Sequence, residues 1–337
     1  MKSHRIILVS LLLAVAAVFV LFTGLPKAEA QVIQMKFAHF GEEDHPSNIA
    51  AKQFAARVEE RTKGQVKITI YPNNVLGSPP EQAEQIRLGA IDMGLCTQGQ
   101  LDKWVKAFSV VMLPFLYDDY DHVHRVLDGP AKDWFFPLAE KEGFVILSNW
   151  EYGFRNLTNN KRPILKPEDV KGLKIRTPPE MQLQVTMEAL GAVVTKIAFP
   201  EVYMALAQNV VDGEENPIAV IYHNKFYEVQ KYLSLTQHIY NSMMHEVSKK
   251  SWDKLTPAQQ QIFREESKSA GDLMRKLIVS EEGEDIQKME KAGLQVARPD
   301  LAPFRAAMGP AYEKIGKYAG EDNVKRFMKL VEDARKK

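Results

Sequence analysis

The chain has 337 residues, and its 44 Lys and Arg stand against 43 Asp and Glu for a formal net charge of +1. That balance leaves no electrostatic footprint for nucleic acid or for an anionic membrane surface. Its one cysteine, Cys96, excludes an intramolecular disulfide.

The first thirty residues read as a secretory leader. Lys2 and Arg5 form a charged start, Ile6 to Phe22 an apolar run of 17 residues, and Ala28-Glu29-Ala30 a small-x-small cleavage pattern. The alternative is an uncleaved anchor, since the run is just short of a comfortable membrane span. Both readings export the rest of the chain, and periplasmic localisation is expected. Cleavage after Ala30 leaves 337 − 30 = 307 residues beginning at Gln31, with 41 basic and 42 acidic side chains and a net charge of −1. Cys96 lies far from that site, so it is no lipid-anchoring cysteine. An exported chain without disulfides depends on a large apolar core, which this length can supply, and the length suggests two lobes.

In chain order, "QMKFAHF" predicts a strand, 47–61 a helix stopped by Gly64, and "VKITIYP" a second strand. "PPEQAEQIRLG" then predicts a second helix and "AIDMGLC" a buried third strand. This strand–helix alternation is the signature of an open α/β sheet with ligands at its strand ends. "FVILSNW" and "GFRNLTN" predict one sheet segment continuing into a second lobe, and Leu173 to Arg176 a strand cut off by Pro178-Pro179. "RLGAIDMG" and "AQNVVDGE" echo one another, each placing an Asp just inside a short strand that follows a helix. Within 198–217, the spacing predicts a helix from Pro200 to Asn209, a strand start at Val210-Val211, a turn at Asp212-Gly213 and then a polar corner, Glu214-Glu215-Asn216-Pro217. "QKYLSLTQHIYNSMMHEVS" holds one or two return strands, and "TPAQ" from Thr256 is a capping box opening the C-terminal helices.

Enzyme motifs are lacking. There is no G-x-S-x-G elbow, P-loop, G-x-G-x-x-G or H-E-x-x-H, and no cofactor is expected. His39 and His45 flank Glu42-Glu43-Asp44, which suits either a metal or a solvated acidic loop. Cys96 has no basic neighbour and reads as an inert core residue. Glu214 and Glu215 would diverge in an extended chain, so they make no catalytic pair. Binding signals are better. Arg155 follows Trp150, Tyr152 and Phe154 in an expected strand, and Arg176 ends another. Each guanidinium fits either a structural salt bridge or bidentate recognition of a carboxylate or sulfonate.

"DVKGLKIRTPP", "FPEVYMALAQNVVDGEENP" and "NKFYEVQKYLSLTQH" together resemble the periplasmic substrate-binding subunits of tripartite ATP-independent periplasmic (TRAP) transporters. The likeness extends over "KITIYPNNVLG", "RLGAIDMG" and "PDLAPF". It implies the α/β, two-lobed periplasmic binding protein fold, with a ligand cleft between the lobes and crossing hinge strands. It also implies a small organic anion as ligand, a membrane permease pair driven by an ion gradient as partner, and no catalysis. In the family pattern the arginine of "KIR" binds the ligand carboxylate, which falls on Arg176. The crossing-strand arginine falls on Arg155, the asparagine of "ENP" on Asn216 and a pocket-wall phenylalanine on Phe199. Phe40, Gln98, Trp150 and Glu43 complete the candidate ligand-binding set. Where sialic-acid-binding relatives carry a glutamate after the third strand, this chain has Thr97.

The implied first lobe takes 31–152 and 242–281, and the second takes 153–241 and 282–337. A monomer is expected. The ligand stays open among C4-dicarboxylates, sugar acids, 2-oxo acids and small sulfonates, and presentation of a ligand to a membrane sensor kinase is the alternative role.

Overall fold

The computed structural model describes residues 32–336, so the expected leader lies outside the described residues. Its first half runs β1 (Ile33–Ala38), α1 (Pro46–Arg61), β2 (Val66–Tyr71), α2 (Pro79–Leu88) and β3 (Met93–Cys96), as the alternation predicts. Each helix starts where local chemistry says it should. His45 accepts from the Ser47 amide at 3.0 Å with Pro46 at the first turn, while Ser78 and Glu81 form a capping box. Gly89 closes α2 in the left-handed conformation, φ 80°.

The second half repeats the unit. It runs β4 (Phe144–Asn159), β5 (Lys174–Thr177), α3 (Met181–Ala189), β6 (Val193–Lys196), α4 (Val202–Ala207) and β7 (Gly213–Pro217). Strands β8 (Tyr232–Ser234) and β9 (Tyr240–Ser248), helix α5 (Pro257–Lys291) and β10 (Gln295–Ala297) follow, then C-terminal helices. The sheet order is β2-β1-β3-β9-β4-β7-β5-β6, with β8 on β4 and β10 on β8. Thus β2-β1-β3 and β6-β5-β7 are the same arrangement, with β1–β3 and β5–β7 both parallel. The sequence echo has a shared physical cause. Asp92, just before β3, accepts the Lys36 amide of β1 at 2.7 Å, and Asp212, just before β7, accepts the Lys174 amide of β5 at 2.9 Å. Each carboxylate satisfies a backbone donor of the parallel neighbouring strand.

Long strand β4 crosses between the halves. Its first part pairs antiparallel with β9 as far as Phe154, with an irregularity between Glu151 and Gly153, and from Arg155 it pairs with β7. The 35-residue α5 starts at the expected capping box, Thr256 accepting from the Gln259 amide, and lies along β4 and α1. Gly271 of α5 makes that approach possible, since a Cβ there would meet Trp150 Cδ1 at 2.6 Å. Among the described residues no helix is long and apolar enough to cross a membrane.

One expectation fails here. The strand is not Val210-Val211 but Gly213–Pro217, so the polar corner is a fully buried strand in the sheet interior. The helix stop holds, with Asn209 left-handed at φ 54°. Burying two carboxylates is costly unless they are paired or protonated, and both solutions occur at the site below.

A third solution lies in the first half. Glu246 of β9, opposite Gly94 of β3, is fully buried, and among the described residues neither carboxyl oxygen has a well-formed hydrogen bond, the Cys96 backbone lying beside it. Burial pushes its pKa up to about 8, with the equally buried Cys96 thiol beside it. The folded state therefore holds a proton that the unfolded chain releases near pH 4.5, and stability falls as pH rises between those values. The ceiling is about 1.4 kcal/mol per pH unit. Glu246→Gln is expected to match wild type near pH 4.5 and to melt progressively higher towards pH 8. A gain independent of pH in thermal melts would count against this account.

Candidate functional site

Two arginines reach one cavity of about 310 Å³ from strands that flank β7. Arg155 comes from β4 and Arg176 from β5, while Asn216 of β7 lines the cavity between them. Phe40, Leu95, Met243, Phe199 and the Pro178-Pro179 pair supply apolar wall. Phe40 sits edge-on to Tyr152 and to Phe199, with ring centroids 5.1 and 6.1 Å apart.

The two guanidinium groups differ in what they hold. Arg155 is matched: Nε and Nη2 donate to the Glu215 carboxylate at 2.5 and 2.8 Å, and Nη2 also reaches Asn216 Oδ1 at 3.0 Å. Its structural salt bridge is therefore real. Burial would raise the Glu215 carboxyl, but the Arg155 charge and the hydrogen bond from His238 reverse this and hold it low. Glu215 and Glu214 do diverge. Glu214 accepts from Thr158 Oγ1 at 3.1 Å and from Asn216 Nδ2, and burial followed by the Glu215 charge raises it to about 7.

Arg176 is unmatched. It is 1 % exposed, and Nε and Nη2 both donate to the Ile197 carbonyl at 2.9 and 2.8 Å. That carbonyl fixes the guanidinium plane, beside the Phe199 ring at 5.9 Å. Among the described residues Arg176 forms no ion pair, and Nη1 has no acceptor. Burial lowers its pKa to about 10, so the group remains charged at neutral pH. A buried cation with a free donor edge facing a cavity is a ready-made anion site.

Three candidates lie elsewhere. Gln98 points away from the cavity and donates to Ser242 Oγ at 2.5 Å, because its neighbour Thr97 takes the cavity-facing position. Trp150 is core: its indole donates to the Ser267 carbonyl at 2.9 Å and packs on His245 and Phe37. In a regular strand Trp150 and Tyr152 would share a face, and the irregularity between Glu151 and Gly153 is what separates Trp150 from the cavity side. Glu43 is exposed, bonds Lys52 at 2.7 Å, and lines a separate recess with Glu42 and Asp44. Of the metal reading, His39 Nδ1 and His45 Nδ1 both accept backbone amides, and among the described residues no three potential ligands converge.

Of the lining residues that sequence reasoning missed, among them Gln82, Gln100 and Lys196, Glu180 is the buried acid. It follows Pro178-Pro179 at the start of α3, where an acid reads as a solvated partner of the helix dipole. Instead it is buried, accepts from Thr97 Oγ1 at 2.7 Å, and burial raises it to about 7. The nearby Gln182 amide donates to Asp102 Oδ2 at 2.6 Å, so α3 is tied twice to the first half. An acid directly after a strand-ending arginine and two prolines was the available signal.

Two repeated α/β halves, a crossing strand and a cavity with an unpaired buried cation define a two-lobed solute receptor. The comparisons agree. The pattern of bacterial extracellular solute-binding proteins, family 7, matches residues 37–318, and the chain belongs to that family. It is 34% identical over 282 residues to the sialic acid-binding periplasmic protein SiaP of Vibrio cholerae serotype O1, covering 82% of this chain and 87% of that one. A TRAP periplasmic solute-binding protein from Sulfitobacter sp. NAS-14.1, solved with β-D-galacturonate, superposes with a TM-score of 0.86 at 33% identity, covering 89% and 99% of the two chains. Another from Sulfurospirillum deleyianum, solved with succinate, gives 0.83 at 31% identity, covering 88% and 99%.

Proposed function

We propose that the exported chain captures a small organic anion in this cavity, without chemical change, and delivers it to an ion-gradient-driven TRAP permease. The observation that carries this is Arg176, a buried guanidinium whose free edge faces the cavity and which has no carboxylate partner among the described residues. In this reading the ligand carboxylate docks on Arg176, Asn216 and Arg155 border it, and Phe199 and Phe40 wall the cavity. Relatives named as TRAP and periplasmic binding proteins favour uptake over presentation to a sensor kinase.

The lobes are proposed as 31–152 with 242–281 and 153–241 with 282–337. The change of partner along β4 supports the first boundary. The second falls inside α5, which runs unbroken through Glu281 and Glu282, and the C-terminal helices bond to both halves, Val331 to His122 and Lys314 to Glu188. Cleavage after Ala30 belongs to the same proposal, and mass spectrometry of periplasmic protein should find Gln31 at the N-terminus.

A thermal-shift screen over monocarboxylic, dicarboxylic, sugar and sulfonic acids tests the reading. A ligand that binds only the folded state raises its apparent stability, by about 2.7 kcal/mol at a hundredfold excess over Kd. No shift with any organic anion would sink it, and recovery of a chemically altered acid would point to an enzyme.

A further inference from the structure

The charges around the cavity narrow the ligand, given the anion-receptor reading above. Arg155 and Glu215 neutralise one another, so Arg176 is the only buried cation of the lining left for an anion. Lys196, the other basic lining residue, is exposed at the rim, where water and salt screen it. One ligand carboxylate therefore takes the one buried cation left to it. A second would add a buried negative charge with no buried partner.

The remaining acid makes that second charge worse. Glu180 lines the same cavity and is buried, with Oε2 fixed by Thr97 and Oε1 without a protein donor among the described residues. Gly99 keeps the place open, since a Cβ there would meet Glu180 Oε2 at 2.3 Å. The Asp102 and Glu215 charges disfavour a further negative charge at Glu180, and the Arg155 charge acts the other way. Burial raises Glu180 to about 7, so above neutral pH it is a carboxylate, which accepts hydrogen bonds and cannot donate them. Hydroxyl groups on the ligand suit it, and an additional carboxylate does not.

We propose that the ligand is a polyhydroxylated monocarboxylic acid of the sugar-acid class, and that Glu180 is the specificity-determining residue, accepting ligand hydroxyls and excluding dicarboxylates. Thr97 is the positioning residue that aims it. Tyr152, Gln82 and Gln100, which also line the cavity, add neutral polar groups suited to hydroxyls.

Calorimetric titration at pH 8, where Glu180 is ionised, of wild type and Glu180→Gln with D-galacturonate, D-glucuronate, galactonate and succinate tests the proposal, with melting curves to check folding. In wild type the best hydroxy acid should bind about thirtyfold or more tighter than succinate, the lower end of what one buried unpaired charge costs. Glu180→Gln keeps the shape but offers a donor, so it should narrow that ratio by strengthening succinate. Succinate binding wild type as tightly as the best hydroxy acid would overturn the proposal while leaving the receptor reading intact. So would an unchanged ratio in folded Glu180→Gln. Failure of every acid, here and in the wider screen, would remove the receptor reading and this proposal with it.

Discussion

Arg176→Ala is expected to abolish most ligand affinity while leaving the ligand-free protein as stable as wild type or more so. The guanidinium is buried, clamped only by the Ile197 carbonyl, and held down to about pKa 10 by its desolvation. A base whose folded pKa is depressed costs stability wherever it stays charged, which here is the whole range below about pH 10. Removing it relieves that cost in the empty protein. In the complex the same removal leaves the ligand's carboxylate buried without its partner, typically a loss of about 2–5 kcal/mol. That corresponds to roughly 30-fold to several-thousand-fold in Kd. Arg176→Lys should recover only part, since an ammonium cannot match the planar two-donor edge. Titration beside a melting curve separates the outcomes. Wild-type affinity in folded Arg176→Ala would remove the central claim about this cavity.

Why Arg176 was legible and Glu180 was not follows from how far each signal reaches. Helix caps, the strand–helix alternation and the Asp92 and Asp212 echo are local, and local chemistry produced them as read. Arg176 ends a strand before two prolines, so its place at a strand terminus is also local. Glu214-Glu215-Asn216 looked like a corner because carboxylates in an interior strand need partners, and of these only Asn216, which donates to Glu214, is nearby in the chain. The others, Arg155, His238 and Thr158, come from elements distant in sequence. Gln98 and Trp150 were misplaced for a different reason. Thr97 and Tyr152 take the cavity side instead, because Gln98 opens a helical turn after β3 and because the irregularity between Glu151 and Gly153 breaks the alternation that would set Trp150 beside Tyr152. Glu180 combines both difficulties, since its burial depends on the first half closing over α3 through Thr97 and Gln182.

Arg155→Ala should do the opposite of Arg176→Ala, unfolding the protein before it weakens binding. Arg155 is the cation that makes the buried β7 strand tolerable: it grips Glu215 through two nitrogens, and His238 Nε2 lies 3.1 Å from the same carboxylate. All three side chains are inaccessible to solvent or nearly so. Deleting one partner of a buried pair leaves the other charge uncompensated, at a cost of about 3–5 kcal/mol. Against a total of about 5–15 kcal/mol for a typical domain, that is a large fraction. The pH dependence gives the sign. In wild type the Glu215 pKa is lowered, so its contribution is present above the unfolded value near 4.5 and is lost as pH falls through the folded pKa. In the variant the unpaired carboxyl needs a proton to stay buried, so the deficit should be largest at pH 7 and shrink towards pH 4. Replacing the pair together, Arg155→Met with Glu215→Leu, should restore much of the loss, because two apolar side chains need no mutual compensation. Urea unfolding at both pH values for the single and double variants measures each step. If Arg155→Ala instead unfolds like wild type and loses only affinity, the Glu215 pair is dispensable, and Arg155 is the ligand group that the family resemblance implied.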